Sequence, residues 1–107
     1  MTKIPEELRN EMANDPYYQK CARSSEHNCS GRITWEHAWQ YAGKQIQEKW
    51  AIIPLCEFHH AVNLYQDGGD LNKKENQRIS LLRATKEDLK KYPKKDWEFE
   101  KTWLNIL

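Results

Sequence analysis

The sequence contains no apolar run approaching the roughly 20 residues a bilayer crossing requires, which leaves no candidate for a helical membrane span. Its opening stretch, MTKIPEELRNEM, lacks the apolar core of a secretory signal peptide, so a cytoplasmic location is expected. Cysteine is scarce and odd in number: Cys21, Cys29 and Cys56 cannot all pair within one chain. Without an export signal a disulfide framework is not expected, which leaves metal ligation or reduced buried thiols. Net charge is nearly absent, at +1 from 17 Lys and Arg against 16 Asp and Glu, so bulk charge selects no partner. Internal repeats and low-complexity tracts are missing too.

What is present fits one small domain spanning residues 1–107. Hydrophobic residues make up 38% and mean hydropathy is −1.02, so apolar burial alone leaves little margin and a metal staple would help folding. Five Trp and five Tyr argue against disorder. The charge is unevenly spread. Residues 73–91 carry Lys73, Lys74, Arg78, Arg83, Lys86, Lys90 and Lys91 against only Glu75, Glu87 and Asp88, whereas residues 50–72 are acidic. Such a basic patch is either a solvated helix face or a surface for phosphates.

Patterning predicts an α+β fold. IPEELRNEMAN reads as an opening helix, with Glu6 and Glu7 complementing its dipole. RITWEHAW alternates and reads as a strand, and YAGKQIQEK as a loop around Gly43. WAII reads as a second strand stopped by Pro54. Phe58, Ala61, Val62 and Tyr65 recur at helical spacing, and QDGGD reads as a turn. A helix over about residues 72–84 is expected to turn Ile79 and Leu82 inward. The next helix has Thr85 as its cap and Asp88 three residues on. The tail DWEFEKTWLNIL is rich enough in apolar residues to pack back on the domain.

Cys56 and His59 form a C-x2-H pair at the expected strand-to-helix junction, where residues three apart project the same way. Cys21 and Cys29 form a looser C-x7-C pair, with His27 as a rival ligand. Together Cys21, Cys29, Cys56 and His59 make a Cys3His set suited to a structural Zn2+. Such a site contributes folding free energy directly. His60 is left over. Successive helix residues differ by about 100°, so it points away from the zinc held by His59.

An acidic residue and histidine ending one strand (Glu36-His37), a loop, a second strand reading PLC and then C-x2-H-H resemble the HNH endonucleases, the ββα-metal or His-Me finger superfamily. The C-x7-C spacing is similar to that of phage and prophage members. The resemblance covers roughly Cys21 to Asn63. It implies a zinc-stapled ββα-metal core over about residues 20–65 and a C-terminal helical extension over about residues 72–107. It also implies a metal-dependent DNA endonuclease or nickase, in which one divalent ion stabilises the scissile phosphate and leaving 3′ oxygen while a histidine deprotonates water. His37 would be the general base, with Glu36 and His60 holding the catalytic ion, Mg2+ or Mn2+ before Ni2+ or Zn2+. Arg32, Lys44 and Lys49 flank this region and are candidate phosphate contacts.

Two features depart from the family. The Asn that orients the base is absent from EKWAIIPLC, leaving Gln45 or Gln47 as substitutes. On a regular strand Glu36 and His37 also face opposite sides, so a shared site needs a bulge or a strand end there. The competing reading is a non-catalytic zinc-stapled module that binds nucleic acid or protein, as an accessory recombination or packaging factor would. Oligomeric state, monomer or dimer, is not fixed by any feature of the chain.

Overall fold

A computed structural model describes residues 4–24, 29–59 and 69–106. His27, His60, Asn63 and the expected QDGGD turn centre lie outside the described residues, as does the stretch after His59 where Ala61, Val62 and Tyr65 recur at helical spacing. The first helix, α1 (Glu6–Ala13), follows Pro5 and carries Glu6 and Glu7 in its first turn. A 3-10 turn over Pro16–Gln19 begins at Asp15, whose carboxylate accepts the Tyr17 N–H.

The chain then forms a strand pair. Strand β1 (Ile33–His37) runs antiparallel to β4 (Ile52–Cys56) in an unbroken register from Ile33↔Cys56 to His37↔Ile52. Between them, β2 (Gln40–Tyr41) and β3 (Lys44–Gln45) make a short hairpin where a plain loop is expected. Its turn is Ala42-Gly43, both with positive φ (53° and 80°), the conformation two-residue hairpins favour. Two paired residues on each side are too few for alternation to register in the sequence.

β4 also differs from expectation, because it continues through Pro54 to Cys56. Pro54 is opposite Trp35, and its carbonyl accepts the Ala22 N–H at 2.8 Å on the edge facing away from β1. Its missing N–H therefore costs no ladder bond, which is how a strand accommodates proline. Every residue of β4 is buried, so it reads as a continuous apolar run.

Helix α2 (Gly69–Arg83) starts earlier than expected and packs on the turn at Lys49–Ala51 and on β4. Leu81 and Ser80 are inward, Ile79 is half-buried, and Leu82 is 54% exposed. The inward placement of Ser80 has a cause: its hydroxyl donates to the Trp50 carbonyl at 2.5 Å, satisfying a buried acceptor. Helix α3 (Lys86–Lys90) has the reciprocal capping box between Thr85 and Asp88. Helix α4 (Trp97–Trp103) is capped by Asp96.

Burial is divided among three clusters. Trp39, Ile46, Trp50, Leu81, Leu89, Trp97 and Leu104 join the hairpin to the three C-terminal helices, so the tail does pack back on the fold. Ile4, Met12, Tyr18 and Ile52 attach the N-terminal segment to the Trp35 face of the ladder. Cys21, Ile53, Leu55 and Cys56 form the third, beside Ile79. Trp39 is core and Trp35 is half-buried with its indole N–H on the Tyr18 carbonyl. The architecture is α+β, and none of its described helices is long and apolar enough to cross a membrane.

Candidate functional site

Three local devices assemble the Cys3His cluster. Cys56 closes β4 and the chain turns helical at residues 57–59, so the thiol and the His59 ring lie on one side of a single turn. The Ala22–Pro54 hydrogen bond docks the segment after the 3-10 turn on the outer edge of β4, bringing Cys21 to Cys56. Cys29 is brought in by the following residues, where the Phe58 N–H donates to the Ser30 carbonyl at 3.3 Å. Gly31, at φ 83°, lies so close to Glu57 that a Cβ would stand 2.5 Å from its Oε2.

The ligand atoms of Cys21, Cys29, Cys56 and His59 all lie within 4.8 Å of one another. Nδ1 of His59 stands 3.3 Å from Cys21 Sγ, 3.5 Å from Cys29 Sγ and 3.2 Å from Cys56 Sγ. One ring nitrogen has a single proton or lone pair and cannot hydrogen-bond to three sulfurs at once. A tetrahedral zinc, with bonds of ~2.3 Å to sulfur and ~2.0–2.1 Å to nitrogen, sets S···N edges of roughly 3.6 Å. The four side chains can therefore hold a metal ion, and their donor set and spacing fit a structural zinc.

Two of the clustered thiols are shifted, in opposite directions. Desolvation at its inward-facing sulfur, then hydrogen bonds with Cys56 and Cys21, push the Cys29 thiol up to about 11, although the residue as a whole is exposed. Desolvation also opposes the Cys56 thiolate, but backbone N–H donors from His59 and Ser30 outweigh it and hold that thiol below its ordinary value. Adjacent thiolates repel, whereas a central divalent ion favours ionisation of all three.

The second candidate residue sits at the opposite end of the same ladder. Ile33 faces Cys56 at the metal end, and His37 faces Ile52 four steps away, about 13 Å along a strand. His37 Nε2 lies 2.9 Å from Gln47 Oε1. Of the two glutamines left open by the sequence, it is Gln47 that meets the ring. With the amide oxygen facing it, a neutral ring that donates from Nε2 keeps its lone pair on Nδ1. Glu36, by contrast, is on the other face of a ladder that has no bulge, within reach of the Thr34 hydroxyl at 3.4 Å. His37 is the last strand residue, so its surroundings open toward the hairpin.

That opening is a cleft of about 380 Å³ lined by His37, Trp39, Gln40, Gln45, Lys73, Gln77 and Lys95, among others. Among the described residues its lining holds two lysines and no carboxylate. Arg32, Lys44 and Lys49 do not line it and are not brought together. Arg32 bridges Glu57 at 3.5 Å beside the metal cluster, and Lys44 is on the hairpin. Lys49 pairs with Asp15 at 2.8 Å in a cleft containing Glu7, Glu11, Glu48 and Asp88. Lys73, Gln77 and Lys95 come from elements 36 to 58 residues beyond His37, and only the basic excess around Lys73 hints at them in the sequence. Comparisons with protein-family models, curated proteins and solved structures returned no match, so geometry and residue chemistry alone carry a functional reading.

Proposed function

We propose that this chain is a metal-dependent DNA endonuclease or nickase of HNH type, with a structural zinc on Cys21, Cys29, Cys56 and His59 and His37 as general base. The observation that carries the reading is the environment of His37: a ring held through Nε2 by Gln47, at the mouth of a cleft whose described lining carries two lysines and no carboxylate, one ladder length from the metal cluster. An imidazole fixed in that tautomer presents Nδ1 to a water molecule. The water oxygen attacks phosphorus, its proton passes to Nδ1, and the bond to the 3′ oxygen breaks, with that oxygen protonated from solvent. Gln47 positions the ring, taking the part the family gives to Asn.

The resemblance would place Glu36 and His60 on a divalent ion, which when bound supplies charge stabilisation to the phosphate. The ladder puts Glu36 on the face away from His37, and His60 lies outside the described residues, so no step is routed through that ion. Supercoiled plasmid incubated with Mg2+ or Mn2+ tests the proposal. Nicking by the wild type, and none by a His37→Ala protein that keeps its zinc, is the expected outcome. Equal nicking by the variant removes the enzyme claim.

The opposed faces of Glu36 and His37 favour a second reading, a zinc-stapled module that binds nucleic acid or protein without cutting. In that case binding survives His37→Ala together with His60→Ala, and no preparation nicks DNA.

A further inference from the structure

The cleft at His37 does not end there. A second depression, of about 240 Å³, is lined by Gln40, Tyr41, Ala42, Lys94 and Lys95. Gln40 and Lys95 line both, so the two depressions adjoin beside the β2–β3 hairpin. Together they present Lys73, Lys94 and Lys95, with no carboxylate among the described lining residues. Lys73 and Lys94 are exposed and have no ion pair among the described residues, so their charge is open to a ligand. Lys95 is held differently: its ammonium lies over Trp39 and Trp97, and Glu100 is 3.9 Å away, at the outer limit of an ion pair.

The amides are also set in place. Gln77 donates to the Ala38 carbonyl at 3.3 Å, tying α2 to the end of β1, and the backbones of Gln40 and Gln45 are paired across the hairpin. A cleft between the N-terminal helix and the Lys49 turn has the reverse character, with four carboxylates against Lys49 and Arg83. Charge of these two signs would favour a polyanion at the lysine-lined depressions over the carboxylate-lined cleft.

We infer that Lys73, Lys94 and Lys95 form a track for the sugar-phosphate backbone of a nucleic acid, running from His37 around the β2–β3 hairpin. The inference rests on the endonuclease reading for its placement of substrate, and it adds the residues that would grip the strand on either side of the cut. A track of two adjoining depressions suits a polymer with several phosphates better than a single small anion. Tyr41, half-buried at the second depression with its hydroxyl accepting the Lys94 N–H, stands where a base or sugar would pass.

The experiment is equilibrium binding of fluorescein-labelled duplex and single-stranded 20-nucleotide DNA to the full-length zinc-loaded protein from 50 to 200 mM salt. No Mg2+ is added, and inorganic phosphate serves as competitor. Each lysine removed from the track is expected to reduce the slope of log K against log salt by about 0.7–0.9 and weaken binding several-fold. Lys86→Ala and Lys90→Ala on α3 should change neither. Because Lys95→Ala also removes packing on two Trp rings, Lys73→Ala with Lys94→Ala provides a double variant free of that contact. A wild-type slope in this double variant overturns the track, as does weakening by Lys49→Ala that equals it. Full displacement by millimolar inorganic phosphate, with no dependence on DNA length, overturns it in favour of a small-anion site. A plasmid assay run in parallel keeps the two ideas apart: unchanged nicking by His37→Ala sinks the catalytic reading, whereas the salt slopes alone judge the track.

Discussion

At the scale of single residues, the decisive group is the His59 ring, buried with Nδ1 facing three sulfurs. A Cys56→Ser or His59→Ala substitution should abolish tight zinc binding, measured as metal content after gel filtration. A ligand at 100 times its dissociation constant stabilises by about 2.7 kcal/mol. Since 1 kcal/mol shifts Tm by roughly 4–8 °C in a domain near this size, chelation should lower Tm by at least ~10 °C. The C-x2-H half of this site is visible in sequence because both ligands fall within one turn. The C-x7-C half is named there too but less sharply, because what brings Cys29 in is a backbone hydrogen bond from Phe58 to Ser30 and a glycine pressed on Glu57. Gln47 is one of the two glutamines the sequence offers, and alternation cannot say which of them reaches the ring. Gln47→Leu should lower nicking about 10- to 100-fold with zinc retained, less than the roughly 10²–10⁴-fold a positioned base itself contributes, while Gln47→Glu keeps an acceptor and retains more activity.

Elements show which sequence signals suffice and which do not. The capping box of α3 is fully local, so Thr85 and Asp88 announce it in the sequence. Thr85→Ala should cost about 1 kcal/mol in urea unfolding, with no effect on zinc. β4 runs past Pro54 because proline breaks a strand only where its N–H is needed, and here that position points to the outer edge, which the loop meets through the Pro54 carbonyl. Leu82 was expected inward in place of Ser80 because apolar periodicity cannot anticipate a serine that satisfies a buried carbonyl. The turn at Gly31 makes a sharper demand. Its φ of 83° and the 2.7 Å from an added Cβ to the Cβ of Glu57 leave no room, so Gly31→Ala should destabilise the protein by about 1–3 kcal/mol. Zinc affinity should fall with it, because the same turn carries Cys29.

Across the whole molecule, the β1–β4 ladder separates two chemistries. One end is closed by the Cys3His cluster, and the other presents His37 to a basic cleft built from α2 and the segment before α4. The α+β class could be read from the pattern of strands and helices. The cleft could not, because Lys73 and Lys95 reach it only through the packing of Leu81, Trp97 and Leu104 on the hairpin tryptophans. The N-terminal segment is fastened by Asp15, whose carboxyl is held below its ordinary value first by the Lys49 side chain and then by the Tyr17 N–H. Because the folded pKa is depressed, this contribution is present above the unfolded value near 3.9 and disappears as pH falls through the folded one. Asp15→Asn should therefore lower stability at neutral pH and flatten its decline below about pH 4.

The most direct measurement is zinc content and plasmid nicking, in Mg2+ and Mn2+, on the same preparations of wild type, His59→Ala and His37→Ala. The expected result is one zinc per chain and cleavage in the wild type, zinc lost with His59→Ala, and zinc kept but cleavage lost with His37→Ala. A His37→Ala protein that cuts as fast as wild type, or one that loses its zinc, would contradict two separate sites at the two ends of one strand pair.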